Sequence, residues 1–155
     1  MSILGIDIGT TGCKVTALSV DGDILAAAYR EYHVIRPAPG QAELDSREVW
    51  RLIKECIIEI VPSTQADPVS TLSVSSMGEA MTPVSKDREI LGNCLLGFDT
   101  RGEETFALLR GLDQVAFFER SGNIPSGVMA GPKLIWQRDN WPELFEKTDK
   151  FLCWA

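Results

Sequence analysis

Apolar and polar positions alternate from the first residues. Ile3-Leu4-Gly5-Ile6-Asp7-Ile8 reads as a buried strand that breaks into Gly9-Thr10-Thr11-Gly12-Cys13-Lys14. Cys13 to Val20 then alternates like a second strand instead of opening a helix. Asp21-Gly22-Asp23 marks a turn into a third strand, Ile24 to His33, so the N-terminus predicts an antiparallel meander. Pro37, Pro39 and Gly40 halt regular structure. Asp45-Ser46-Arg47-Glu48 is a helix start, with an oxygen able to cap and a glutamate three residues on. Val49, Ile53, Cys56, Ile57 and Ile60 follow at helical spacing, and Pro62 stops the run.

The second half alternates short strands with helices. Thr71 to Ser76 and Met81 to Val84 read as strands around Met77-Gly78-Glu79-Ala80, and Lys86 to Glu89 is a polar turn before Ile90-Leu91. Apolar Cys94-Leu95-Leu96 leads into a turn at Gly97-Phe98-Asp99-Thr100-Arg101. Helices are predicted over Glu103 to Arg110, Asp113 to Arg120 and Lys133 to Arg138, with Pro142 in the first turn of one over Glu143 to Lys147. Lys150 to Ala155 is apolar with no turn or cap after it, which predicts one lobe of something longer. The expected architecture is α/β, a mixed sheet with an antiparallel N-terminal meander and flanking helices.

The chemistry suggested by this pattern sits at the first turn. An apolar strand that delivers Asp7 to a glycine turn is what a metal-bound polyphosphate needs, because Mg²⁺ prefers oxygen ligands and keeps much of its water. Amides of the turn and the Thr10 and Thr11 hydroxyls are donors for phosphate oxygens. Neither common glycine motif is present: G-x-x-x-x-G-K-[ST] is absent, and glycines 5, 9 and 12 miss the G-x-G-x-x-G spacing. The local pattern is equally that of an ordinary hairpin with Asp7 at a strand end.

Composition narrows the partners. The 155 residues suit one domain with a real core, and 45% hydrophobic with 24% charged residues is a globular composition. A formal charge of -7 argues against nucleic acid or an anionic membrane. Asp7 and Gly9 interrupt any leader-like apolar run, so a cytoplasmic chain is expected. Cys13, Cys56, Cys94 and Cys153 contain no C-x-x-C pair, and His33 is the one histidine, so reduced, packed thiols are expected and no zinc or disulfide framework.

At this point the sequence resembles the N-terminal lobe of the FGGY carbohydrate kinases, the group of xylulose, gluconate, ribulose and glycerol kinases. Gly5-Ile6-Asp7-Ile8-Gly9-Thr10-Thr11 through Lys14 resembles the family's first phosphate motif. Pro39-Gly40-Gln41-Ala42-Glu43-Leu44-Asp45 with Trp50 is similar to its G-W-x-E-q-d-P…W segment, with Gln41 in place of Trp and Ser46 in place of Pro. Ser75-Ser76-Met77-Gly78-Glu79 falls at the sugar-contacting turn. Asp99-x-Arg101 matches D-x-R, and Lys133-Leu134-Ile135-Trp136 with Pro142-Glu143 matches a K-L-x-W…P-E helix pair.

The resemblance implies a ribonuclease-H-like fold of the actin-like ATPase kind, and ATP-dependent phosphorylation of a sugar or polyol hydroxyl with Mg²⁺. It implies that Asp7 places the metal through water and that Thr10, Thr11, Gly12 and Lys14 line the ATP phosphates. On the sugar side it implies Met77, Gly78, Glu79, Asp99 and Arg101, with the catalytic base and adenine pocket supplied by a second, nucleotide-binding lobe beyond these residues. Met77-Gly78-Glu79 departs from the Met-His-Gly turn of xylulose kinases, and Val128 stands where glycerol-type relatives place Tyr. The bland readings are Lys14 as a solvated strand residue, Asp99–Arg101 as a turn salt bridge and Glu79 as a surface carboxylate. Expected partners are a small sugar or polyol and the second lobe, and a homodimer is compatible with these readings. The other classes are a non-catalytic sugar-binding or regulatory lobe, and a different actin-like ATPase.

Overall fold

A computed structural model describes residues 1–154, except the side chains of residues 107, 108 and 110. The chain divides into two compact units. Unit 1 holds Met1–Val34 and Leu44–Gly78 with Trp154; unit 2 holds Ile35–Glu43 and Glu79–Cys153. A reading of the sequence as one domain does not reveal this division.

In unit 1, β1 (Ser2–Ile8), β2 (Gly12–Ser19), β3 (Ile24–Glu31) and β5 (Val69–Ser76) form one sheet in the order β3-β2-β1-β5. The first three strands are the antiparallel meander predicted above, and β5 lies parallel to β1. Pleating explains the burial pattern: Leu4, Ile6 and Ile8 face inward while Ile3 and Asp7 are exposed on the opposite face. Cys13, Val15 and Ala17 continue the inward face on β2.

Helix α1 (Ser46–Ile60) packs across β2 and β3 with Val49, Leu52, Ile53, Cys56 and Ile60 buried. Leu52 joins the predicted stripe, and Ile57 is only half-buried. The cap is as read: the Asp45 carboxylate accepts from the amides of Arg47 at 2.9 Å and Glu48 at 3.2 Å. A short 3₁₀ turn, Val61–Thr64, carries Pro62 at its start and ends the helix. The four cysteines are free thiols, and burial, with Cys56 beside it, pushes the Cys13 thiol up to about 11. Cys13 therefore packs as a small apolar group at neutral pH.

Unit 2 contains a second sheet in the order β4-β7-β6-β8, from β4 (Glu43–Leu44), β6 (Met81–Val84), β7 (Cys94–Leu95) and β8 (Lys150–Cys153). β6 pairs antiparallel with both β7 and β8. Lys150 to Cys153, an apolar run without a cap, is thus a strand. β4 has only two residues, too short for an alternation to show in the sequence. Helices α2 (Glu103–Arg110), α3 (Gln114–Ser121), α4 (Ala130–Asn140) and α5 (Pro142–Lys147) complete the unit. α4 begins three residues before the predicted Lys133, because Pro132 is tolerated in a first turn, where its missing N–H has no helical partner to lose.

The cap makes a direct test of how α1 is held. Asp45→Ala should destabilise unit 1 by about 1 kcal/mol, read from urea unfolding followed by far-ultraviolet dichroism, while Asp45→Asn should retain most of the stability. Equal stability of the alanine variant would show that packing alone sets the start of the helix.

Candidate active-site groups

The hairpin between β1 and β2 is held closed by Tyr32. Gly9 N–H donates to the Gly12 carbonyl at 3.0 Å, and Tyr32 N–H donates to the Thr11 carbonyl at 3.1 Å. The Tyr32 hydroxyl, buried at the end of the meander, lies 2.6 Å from the Gly9 carbonyl and 2.9 Å from that of Gly12, sharing one proton between them. None of residues 9–12 adopts a positive φ. Gly12 is there for closeness: a Cβ would meet the Tyr29 hydroxyl and sit 2.7 Å from the Arg30 carbonyl oxygen. The turn is therefore a fixed bend in which Thr10 is half-buried and Thr11 exposed. Sequence reading missed Tyr32; an aromatic residue ending the third strand was the available signal.

Asp7 and Lys14 are cross-strand partners at the mouth of this hairpin, both exposed on one face. Among the described residues Asp7 makes no hydrogen bond or ion pair, although Lys14 stands opposite. The carboxylate is neither buried nor neutralised, so it is free to take a hydrated cation. No group of three or more His, Cys, Asp or Glu able to hold a metal occurs among the described residues. A single acid beside hydroxyls and turn amides fits Mg²⁺ carried on a phosphate, which brings its own oxygens and water, and does not fit an all-protein metal cage.

In unit 2 the groups expected to read a sugar separate into two kinds. Asp99 and Arg101 are buried against each other. The Arg101 guanidinium donates Nη2 to Asp99 Oδ2 at 2.6 Å and Nε to Oδ1 at 3.0 Å, and Nη1 reaches Glu43 Oε1 at 2.7 Å. Asp99 also accepts from the amides of Ala42 at 2.6 Å and of Arg101 at 2.8 Å. Glu43 takes a further bond from Asn93 Nδ2 at 2.8 Å. The rings of Trp136 and Trp141 each lie 5.3 Å from the guanidinium carbon and meet edge-on.

Burial pushes the Asp99 carboxyl up, but the Arg101 guanidinium and the two amides outweigh it and hold it below its ordinary 3.8. Burial likewise works against the Arg101 charge, and its bonds to Asp99 and Glu43 more than restore it. The Asp99–Arg101 turn salt bridge, the alternative to a sugar contact, is present. With their polar atoms committed to each other, to Glu43 and to backbone, they hold the turn in place.

Glu79 belongs to the other kind. It is exposed, takes φ 60, and its Oε2 accepts from the Ala130 amide at the start of α4. Its Oε1 has no hydrogen bond among the described residues. Met77 is half-buried and Gly78 exposed at the end of unit 1. Sequence reading missed Glu43, Trp141 and the burial of Lys133 as parts of this arrangement.

The model of the FGGY family of carbohydrate kinases, N-terminal domain, matches residues 2–155. The chain belongs to the FGGY family of carbohydrate kinases. It is 27% identical over 150 residues to the xylulose kinase of Escherichia coli, and 30% identical over 154 residues to glycerol kinase 2 of Streptomyces avermitilis. Each alignment covers 96% of this chain, which spans 31% and 30% of those relatives' own lengths. The xylulose kinase of Rhodospirillum rubrum superposes with a TM-score of 0.90 at 25% identity, covering 97% of this chain and 32% of that one. The fold is thus that of the sugar kinases, in the actin-like ATPase class. None of the described helices of this FGGY chain is long and apolar enough to cross a membrane.

The charge cluster gives a pH-dependent test. Because the folded Asp99 pKa lies below the unfolded one, its contribution is full above the ordinary carboxylate value and is lost as pH falls through the folded value. Asp99→Ala should cost about 3–5 kcal/mol near pH 7 through the buried charge it strands. Urea unfolding should show that gap narrowing below about pH 4. A gap that stays constant with pH would mean that packing, not charge, carries the effect.

Proposed function

We propose that this chain is the N-terminal lobe of a cytoplasmic, ATP-dependent carbohydrate kinase whose second, nucleotide-binding lobe lies outside the 155 residues. The β1–β2 hairpin would carry the phosphate end of the reaction, and the Met77-Gly78-Glu79 turn the sugar end. The observation that carries this reading is the exposed Asp7 carboxylate, without a partner, at the mouth of a hairpin braced by Tyr32. A purely structural acid at a strand end would gain from pairing with Lys14, which stands opposite.

Asp7 would hold hydrated Mg²⁺, and Thr10, Thr11, Gly12 and Lys14 would bind and orient the phosphates. Bound Mg·ATP supplies the transferable phosphoryl group and neutralises the charge that spreads over its oxygens. The chain's own residues contribute position more than covalent chemistry. Glu79, with Met77 and Gly78, would orient the acceptor hydroxyl, and Asp99 with Arg101 would keep the neighbouring turn in shape. Transfer joins the acceptor oxygen to phosphorus as the bridging P–O bond breaks, and the hydroxyl proton needs a base. None of Asp7, Glu79 and Asp99 suits that role, since one serves the metal, one is fixed on a helix amide, and one is buried in an ion pair. The base therefore falls to the second lobe.

The names of the relatives, xylulose and glycerol kinase, support a sugar or polyol as acceptor. Calorimetry of the chain with Mg·ATP is the test. Asp7→Asn should weaken Mg²⁺-dependent binding about tenfold or more, while Asp21→Asn, at a turn away from the hairpin, should not. Unchanged affinity in Asp7→Asn would overturn the assignment. Radiolabel transfer to sugars by the chain alone should stay far below that of a complete kinase, since a single lobe cannot close over its substrates.

A further inference from the structure

Among the described residues Lys133 is the largest side chain to be almost fully buried, at 2% exposure. Nζ donates to the carbonyls of Val128 at 2.8 Å and Gly97 at 3.0 Å, with that of Gly127 at 3.4 Å. Those carbonyls belong to two separate loops, the turn that leads into Asp99–Arg101 and the loop that precedes α4. Taking an ammonium out of water is costly unless it is bonded in this way.

The same side chain lines a small crevice with Glu79, Ala130 and Gln137. Glu79 needs holding. A non-glycine residue at φ 60 is strained by about 1–2 kcal/mol, and its carboxylate is fixed by the Ala130 amide at the positive end of α4. Lys133 adds a whole positive charge on that side of Glu79. Asp99 is the other carboxylate near enough to act on Lys133, and it is already committed to Arg101. Burial lowers the Lys133 pKa below its ordinary value, and the charges of Asp99 and Glu79 work against that shift.

We propose that Lys133 is the positioning residue of the sugar pocket: its buried ammonium ties the Gly97 and Val128 loops together and fixes the Glu79 carboxylate against the start of α4. The inference rests on the carbohydrate-kinase reading for what Glu79 meets, but not for the coupling between Lys133 and Glu79. Lys133 itself is buried and does not touch the acceptor.

The experiment follows the chain by NMR in wild type, Lys133→Met, Lys133→Arg, Glu79→Gln and the Lys133→Met/Glu79→Gln pair. Hydrogen exchange at the Ala130 amide reports the Glu79 contact, and titrations with D-xylulose, D-gluconate and glycerol report the pocket. Lys133→Met should speed Ala130 exchange about tenfold and weaken binding of the preferred sugar about tenfold. The double variant should lose no more than Glu79→Gln alone, and Lys133→Arg should recover part of both effects. Unchanged Ala130 exchange in Lys133→Met, or additive losses in the pair, would overturn the proposal. If wild type binds none of the three compounds, the pocket reading fails, and Ala130 exchange alone decides the coupling. If Lys133→Met does not melt cooperatively, the Lys133 Nζ resonance of the wild-type background decides: it should move on Glu79→Gln, and a fixed resonance would sink the idea.

Discussion

A guanidinium removed from water constrains everything around it. Arg101 is charged, buried and enclosed by two carboxylates and two indole rings. Desolvating such an ion costs several kcal/mol before any bond is made, so the site holds together only if each partner arrives in place. Glu43 comes from the segment before α1, Asp99 from the turn after β7, Trp136 from α4 and Trp141 from the start of α5. Three stretches distant in sequence, around Glu43, Asp99 and Trp136–Trp141, are thereby fixed by one side chain. The backbone records the same demand: Gly40 and Gly102 take positive φ, and a Cβ on Gly102 would lie 2.6 Å from the Pro132 carbonyl oxygen.

Asp7 shows the opposite solution. Asp99 spends its acceptors on one guanidinium and two amides, whereas Asp7 stands in solvent with none spent. A stable fold has no need of a lone acid on a sheet face, and it gains nothing from one. What the fold does spend effort on is the bend beside it, where a tyrosine hydroxyl braces two glycine carbonyls. Rigidity in the bend and freedom in the acid are together the arrangement that an incoming metal-bound anion requires, because little ordering is left to be done on binding.

Local signals carried much of the fold. The β1–β2–β3 meander, the Asp45 cap and the Pro142 start of α5 all depend on neighbours within a few residues, and all were readable. What depends on distant partners was not. Asp99-x-Arg101 was visible as a motif, yet the partners that bury it, Glu43 and the two tryptophans, were not. On α4 hydrophobic periodicity points the wrong way, because the buried positions include Lys133 and Gln137, one turn apart, and polar spacing reads as a solvated face. The division into two units was hidden for a similar reason: the chain passes between them at residues 34–35, 43–44, 78–79 and 153–154, and no linker composition marks all four.

The distribution of spent and unspent polar atoms then narrows which group can discriminate among acceptors. Of the carboxylates expected at the sugar end, Asp99 has no exposed oxygen to offer, while Glu79 keeps Oε1 unbonded with Oε2 anchored on a helix amide. An acceptor held by one oxygen has already lost most of its rotamer freedom, so a hydroxyl that meets it gains a bond at reduced entropic cost. A free surface glutamate would lack that advantage. Strain at φ 60 has the same implication, since a residue kept in a sparsely populated backbone region must be over-determined by its surroundings, and such positions cluster where ligands are gripped. On the proposed carbohydrate-kinase reading, Glu79 is therefore the side chain placed to meet an acceptor hydroxyl, while the Asp99–Arg101 pair keeps the loops beside it in shape.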